Sequence, residues 1–172
     1  MDLVLPPLRR TVQDAQRFAA FAHRGQLDKA GQPYFGHLSR VVRNTMRNAL
    51  RCSDWTSWDH AEAEQIAWLH DVIEDTDYTS ADLMREGFSH TVSYGVEFLT
   101  KEAGRPYMDE IAGICRNAPL AAILVKLSDN EDNADPARLA RLDEATRARL
   151  LRKYEPSMAM LREAARAKGW QG

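Results

Sequence analysis

The chain has 172 residues, 44% of them apolar, and a formal net charge of −2. That suffices for one domain with its own core, is too apolar for a disordered chain, and argues against a nucleic-acid binder working through a basic face. Cys52 and Cys115 stand in unrelated contexts that fit a reducing cytoplasm, MDLVLPPLRR lacks the features of a signal peptide, and no apolar run reaches the roughly 18 residues of a membrane-spanning helix, so no membrane partner is expected.

The periodicity is helical nearly throughout. Thr11 caps a first helix that puts Phe18, Phe21 and Ala22 on one side. GQLDKAGQPYFG, residues 25–36, holds three glycines and a proline and reads as a loop. From about His37 a second helix aligns Leu38, Val41, Val42 and Met46. SDWTSWD is a connection, and a third helix follows with Ile66, Ala67, Leu69 and Ile73 as its apolar side. Thr79 or Ser80 starts a short helix that Gly87 stops, and Ser89 opens the next, to about Thr100. Pro106 suits the first position of a helix carrying Ile111 and Ile114, and a further helix runs from near Ala118 to before Pro136. From about Asp143 to Lys168 the spacing of Leu150, Leu151, Tyr154, Met158 and Leu161 predicts a long amphipathic helix, with fraying only at the very end. No segment alternates long enough for a strand. The expected fold is all-α, a compact multi-helix bundle over residues 1–172 with a core of about 11–165.

The strongest chemical signal is AWLHDVIEDTD, residues 67–77, where an apolar helix suddenly delivers His70, Asp71, Glu74, Asp75 and Asp77. In a helix Asp71 and Asp75 are i, i+4, and Asp71 and Glu74 i, i+3, spacings at which like charges repel. Acids are also unfavourable near the negative end of a helix dipole. Because Trp68, Leu69, Val72 and Ile73 are core residue types, a bound cation relieves this repulsion better than full solvation does. His37, just past the Gly-rich loop, and Asp129, in LVKLSDNEDN, are weaker signals taken alone. Lys126, Asp129 and Asn133 share one helix face at i, i+3, i+7.

Together these blocks resemble the HD-domain hydrolases, and within them the hydrolase half of the RelA/SpoT group and the small alarmone hydrolases. FAHRGQLDKAGQPYFGHLSRV, AWLHDVIEDT, LTKEAGRPYMDEI, VKLSDNEDN and RKYEP match that group's blocks in order, from about Phe18 to Tyr154. The resemblance implies metal ligands at His37, His70, Asp71 and Asp129, catalytic acids at Glu74 and Asp75, and substrate contacts at Lys29 and Asn133. Arg24 and Lys126 are further candidates for substrate phosphates, and Tyr107 for a base. Two imidazoles and two carboxylates form a mixed N/O donor set suited to Mn²⁺, the first expectation, with Fe²⁺ or Zn²⁺ as alternatives. The implied reaction is metal-dependent removal of the 3′-pyrophosphate from (p)ppGpp. The alternatives are an HD phosphohydrolase for another nucleotide or phosphoester and a non-catalytic nucleotide-sensing module; the oligomeric state stays open.

The chain departs from the family pattern at Asp28, where an arginine that contacts the base is usual, and at Glu131 and Asp132, in place of residues that include a histidine. These acids predict a more negative site and less room for a highly charged substrate.

Overall fold

The computed structural model describes residues 9–28 and 31–172. In chain order its helices are α1 (Val12–Ala22), α2 (Tyr34–Ala49), α3 (Ser57–Leu69), α4 (Val72–Asp75), α5 (Ser80–Arg85), α6 (His90–Leu99), α7 (Tyr107–Asn117), α8 (Leu120–Asn133), α9 (Pro136–Leu139) and α10 (Glu144–Ala167). Among the described residues there is no strand, only one isolated bridge between Leu27 and Pro33, so the fold is all-α as the periodicity predicts.

Local chemistry explains the helix starts. Thr11, Thr56 and Thr79 each accept from the backbone N–H three residues on, while Asp14, Asp59 and Asp82 bond back to the cap N–H. Reciprocal bonds of this kind satisfy donors that a helix start leaves orphaned.

Several boundaries differ from the sequence expectation. α2 begins at Tyr34, a turn earlier than His37, because Pro33 supplies a fixed φ just before it. α3 stops at Leu69, and His70 and Asp71 form a turn before α4, so Ile73 belongs to α4. Pro106 and Pro119 sit at N-caps rather than inside α7 and α8, and α9 is an additional short helix capped by Asp135. Phe21, expected on the apolar side of α1, is 56% exposed. The C-terminus is held: Trp170 is buried and its Nε1 donates to the Asn48 carbonyl at 2.8 Å, while the Gln171 N–H donates to Arg51.

α8 is the hub, packing against α2, α3, α6, α7 and α10. Its residues Ala122 through Asn130 are all buried, which suits a helix surrounded by others. Leu38 and Val41 of α2, Ile66 and Leu69 of α3 and Leu124 and Leu127 of α8 meet in one core. The polar end of α8 is therefore driven inward together with its apolar start, beside His37 on α2 and the α3–α4 turn.

Leu127 is fully buried two residues before Asp129. Leu127→Ala is expected to lower unfolding stability by about 2–5 kcal/mol. Urea unfolding followed by circular dichroism measures this, and a loss below about 0.5 kcal/mol, the level of a surface change, would contradict the central place of α8.

Candidate metal centre

His37, on the first turns of α2, is bracketed by carboxylates. Its Nδ1 donates to Asp132 Oδ2 at 2.7 Å. Its Nε2 lies 3.6 Å from Asp71 Oδ2 and 3.5 Å from Asp129 Oδ1. His70, in the turn after α3, donates from Nδ1 to the Ala67 carbonyl at 2.8 Å. A carbonyl or carboxylate oxygen can only accept, so both Nδ1 atoms carry a proton, and in the neutral imidazoles a metal requires, both Nε2 atoms are left as lone pairs. His70 Nε2 lies 2.9 Å from Asp71 Oδ2, yet it is a buried atom without a hydrogen-bond partner. The two statements agree once the tautomer is fixed, because two lone pairs facing each other do not bond.

Such an arrangement requires positive charge between the atoms. One donor atom each from His37, His70 and Asp71 fits within 4.8 Å. Donors held about 2.0–2.2 Å from a cation stand about 3–3.5 Å apart, close to the separations seen here. Neutral imidazoles with the carboxylates of Asp71 and Asp129 carry two negative charges, one of which Lys126 offsets from 3.0 Å. The residues present therefore fit a divalent metal. Asp129 stands beside the trio, with Oδ1 accepting from Asn133 Nδ2 at 2.6 Å and Oδ2 from Lys126 Nζ at 3.0 Å.

The charge environment of these groups shows the same demand. Burial is the largest influence on His37 and pulls its pKa down, but the Asp132 and Asp71 carboxylates, with Asp129, outweigh it and hold it at about 9. His70 is raised in the same way, burial opposing and Asp71 prevailing. Burial pushes Asp71 and Asp129 up, yet the histidines, and for Asp129 first of all Lys126, keep both below the usual carboxylate range. Asp75 is raised, by desolvation first and then by Asp71 and Glu74.

Of these groups, His37, Asp71, Asp75 and Asp129 open on a cavity of about 280 Å³, which His70 and Asp132 do not line. Of the residues singled out in the sequence, His37, Asp71, Glu74, Asp75, Asp129, Lys126, Tyr107 and Asn133 line it. Glu74 is ion-paired with Lys101, and the Tyr107 hydroxyl donates to Asn130 Oδ1 at 3.0 Å. Arg24 is elsewhere: it donates to its neighbour Phe21's carbonyl and sits over that ring. Asp77 is exposed and not part of the lining, and Lys29 lies outside the described residues.

Other participants escaped the sequence reading. The Tyr34 hydroxyl donates to Asp71 Oδ2 at 2.5 Å. Arg138, Lys153 and Lys101 also line the cavity. The expected negative region at 131–132 is absent from it. Asp132 is buried behind His37, while Glu131 pairs with Arg47 and Arg162 and, like Asp132, is not in the lining. The signal for this was the burial of α8, whose polar last turn must find protein partners.

No family model matches the chain. It is 36% identical over 134 residues, 74% of its length, to a guanosine-3′,5′-bis(diphosphate) 3′-pyrophosphohydrolase of Aquifex aeolicus, covering 18% of that protein. It is 33% identical over 135 residues, 73% of its length, to the Haemophilus influenzae protein of the same name, again covering 18%. The chain thus spans less than a fifth of these relatives. Its fold is similar to that of a metazoan orthologue of SpoT that hydrolyses ppGpp, with a TM-score of 0.64 and 24% identity over 92% of this chain and 95% of that one.

With His37 held at about 9, the metal-free site carries a proton at neutral pH that a divalent ion must displace. Affinity for Mn²⁺ is expected to weaken by about tenfold per pH unit lowered between pH 8 and pH 6 for each proton displaced, and to strengthen as pH rises. Calorimetry in buffers of different ionisation heat measures the proton release; a binding heat independent of buffer would contradict the geometry.

Proposed function

Starting from the chain's resemblance to the HD-domain hydrolases of the RelA/SpoT group, we propose that it is a metal-dependent phosphohydrolase that removes the 3′-pyrophosphate from (p)ppGpp. The observation that carries this reading is the approach of the His37 and His70 Nε2 atoms to the Asp71 carboxylate beside a cavity of about 280 Å³, with His70 Nε2 buried and without a hydrogen-bond partner. His37, His70, Asp71 and Asp129 would hold the ion, with Mn²⁺ favoured by the mixed N/O donors. A divalent cation there supplies Lewis-acid chemistry for a phosphoryl oxygen and lowers the pKa of water.

The protein's own groups divide the remaining work. Asp75, whose raised pKa makes it a better proton acceptor than an ordinary carboxylate, serves as general base. Glu74, tied to Lys101, orients the attacking water. The Tyr34 hydroxyl engages Asp71 Oδ2 and so restricts how that carboxylate turns. Lys126, Lys153, Lys101 and Asn133 lie around the cavity to receive phosphate and ribose groups. Unpaired Cys52 and Cys115 fit a cytoplasmic protein, and among the described residues no helix is long and apolar enough to cross a membrane.

One observation favours a second substrate. Asp28, where the family places an arginine, lines the cavity and faces Arg138 at 3.5 Å and Arg40 at 3.8 Å. A carboxylate at that place suits a nucleotide other than guanosine tetraphosphate. Mn²⁺-supplemented assays separate the readings: pyrophosphate from ppGpp marks the first, and orthophosphate from another nucleotide the second. On whichever substrate turns over, Asp71→Ala is expected to abolish metal uptake and rate together. Asp75→Asn is expected to keep the metal and lower kcat by about 10²–10⁴. An unchanged kcat in Asp75→Asn would move the proton transfer to Glu74.

A further inference from the structure

Asp132 is 3% exposed and comes from the last turn of α8, one turn after Asp129. The two carboxylates embrace one ring: Asp129 Oδ1 faces His37 Nε2 at 3.5 Å, and Asp132 Oδ2 accepts from His37 Nδ1 at 2.7 Å. Asp132 is itself clamped. Arg40 Nε donates to its Oδ1 at 2.6 Å, and Arg138 pairs with its Oδ2 and also donates to its backbone carbonyl at 3.2 Å. A buried carboxylate held by two guanidiniums cannot rotate away from the imidazole, and its charge is compensated where it stands.

We propose that Asp132 is the positioning residue for His37, fixing the rotation of the ring and keeping its proton on Nδ1 so that Nε2 is offered to a metal as a lone pair. This rests on the metal-binding reading. A carboxylate behind a ligating imidazole raises the ligand's basicity as well as orienting it, and loss of such a partner weakens metal binding by about 10–100-fold. Nothing in the residue's sequence neighbours points to this role, since its partner lies 95 positions away. Glu131 is a natural control. It is the adjacent acid, paired with Arg47 and Arg162, and bonds no histidine.

The test is the Mn²⁺ affinity of the full chain, measured calorimetrically in Asp132→Asn and Glu131→Gln. Asp132→Asn is expected to weaken binding by at least about tenfold, and Glu131→Gln to stay within about twofold of the unsubstituted chain. The ¹⁵N imidazole spectrum of the Zn²⁺-loaded protein is expected to show a uniquely Nδ1-protonated His37 in the unsubstituted chain and in Glu131→Gln, and to lose that uniqueness in Asp132→Asn. Should the amide variant not fold, Asp132→Ser carries the same expectation. Unchanged Mn²⁺ affinity in the Asp132 variant, or equal losses in both variants, would overturn the assignment while leaving the metal site in place. An unsubstituted chain that takes up no Mn²⁺ would remove both readings.

Discussion

Two Nδ1–H groups, on His37 and His70, donate away from the cavity, and the rest of the site follows from that choice. Each bond fixes a tautomer and turns an Nε2 lone pair toward the Asp71 carboxylate. Leaving such atoms buried without a positive charge costs several kcal/mol for each ionised group. A proton can supply the charge, and the facing carboxylates raise the pKa of both histidines against the pull of burial, that of His37 to about 9. A divalent ion would supply it to His37, His70 and Asp71 at once, whose donor atoms lie within 4.8 Å of one another. The cavity floor is thus poised for a cation by hydrogen bonds that reach outward from it.

The outward bond of His37 depends on α8. A helix buried on every side must satisfy its own polar residues, some against one another along the helix and some on neighbouring elements. Asn130 Nδ2 donates to Ser157 on α10, Lys126 and Asn133 hold the two oxygens of Asp129, and Asp132 holds His37 on α2. The apolar half, from Ala122 to Leu127, anchors the helix among its neighbours. Packing energy therefore fixes where the Asp129 carboxylate stands to within hydrogen-bonding tolerance, and a loosened core would be felt first as a loosened metal site.

Most helices were legible from apolar spacing and from caps such as Thr11, Ser89 and Asp143, because both signals are local. Of the four residues proposed as ligands, His70 and Asp71 were legible because acids and a histidine at the end of an apolar run have few bland explanations, whereas His37 and Asp129 were weak signals alone and rested on the resemblance. Their surroundings were not. Tyr34 bonds Asp71 across 37 positions, and Lys101 reaches Glu74 across 27. A phenol or an ammonium in a sequence carries no mark of which distant carboxylate it will meet. The break between α3 and α4 was hidden for a related reason. His70 and Asp71 keep nearly helical backbone angles, and the helical bond from Asp75 N–H to the Asp71 carbonyl survives, so the periodicity runs on through the turn. Phe21 shows the converse: its spacing was right, but nothing packs over that side of α1 there, and the ring carries Arg24 instead.

The wall of the cavity is built on a different principle from its floor. Asp28, Asp132, Arg40 and Arg138 form a closed corner in which two carboxylates meet two guanidiniums. The corner adds no net charge, so the two acids that look unfavourable in the sequence do not repel an anionic ligand. It also joins the segment that carries Asp28, on the cavity wall, to the carboxylate behind His37. A ligand pressing on Arg138 would act on Asp132, and through it on the orientation of a metal-facing imidazole. An arginine at position 28 would face Arg40 and Arg138 with like charge and could not close this corner. Reaction chemistry and ligand choice can accordingly diverge in this fold: the floor needs only its donors and their outward bonds, while the wall can be rebuilt by exchanging charges in matched pairs.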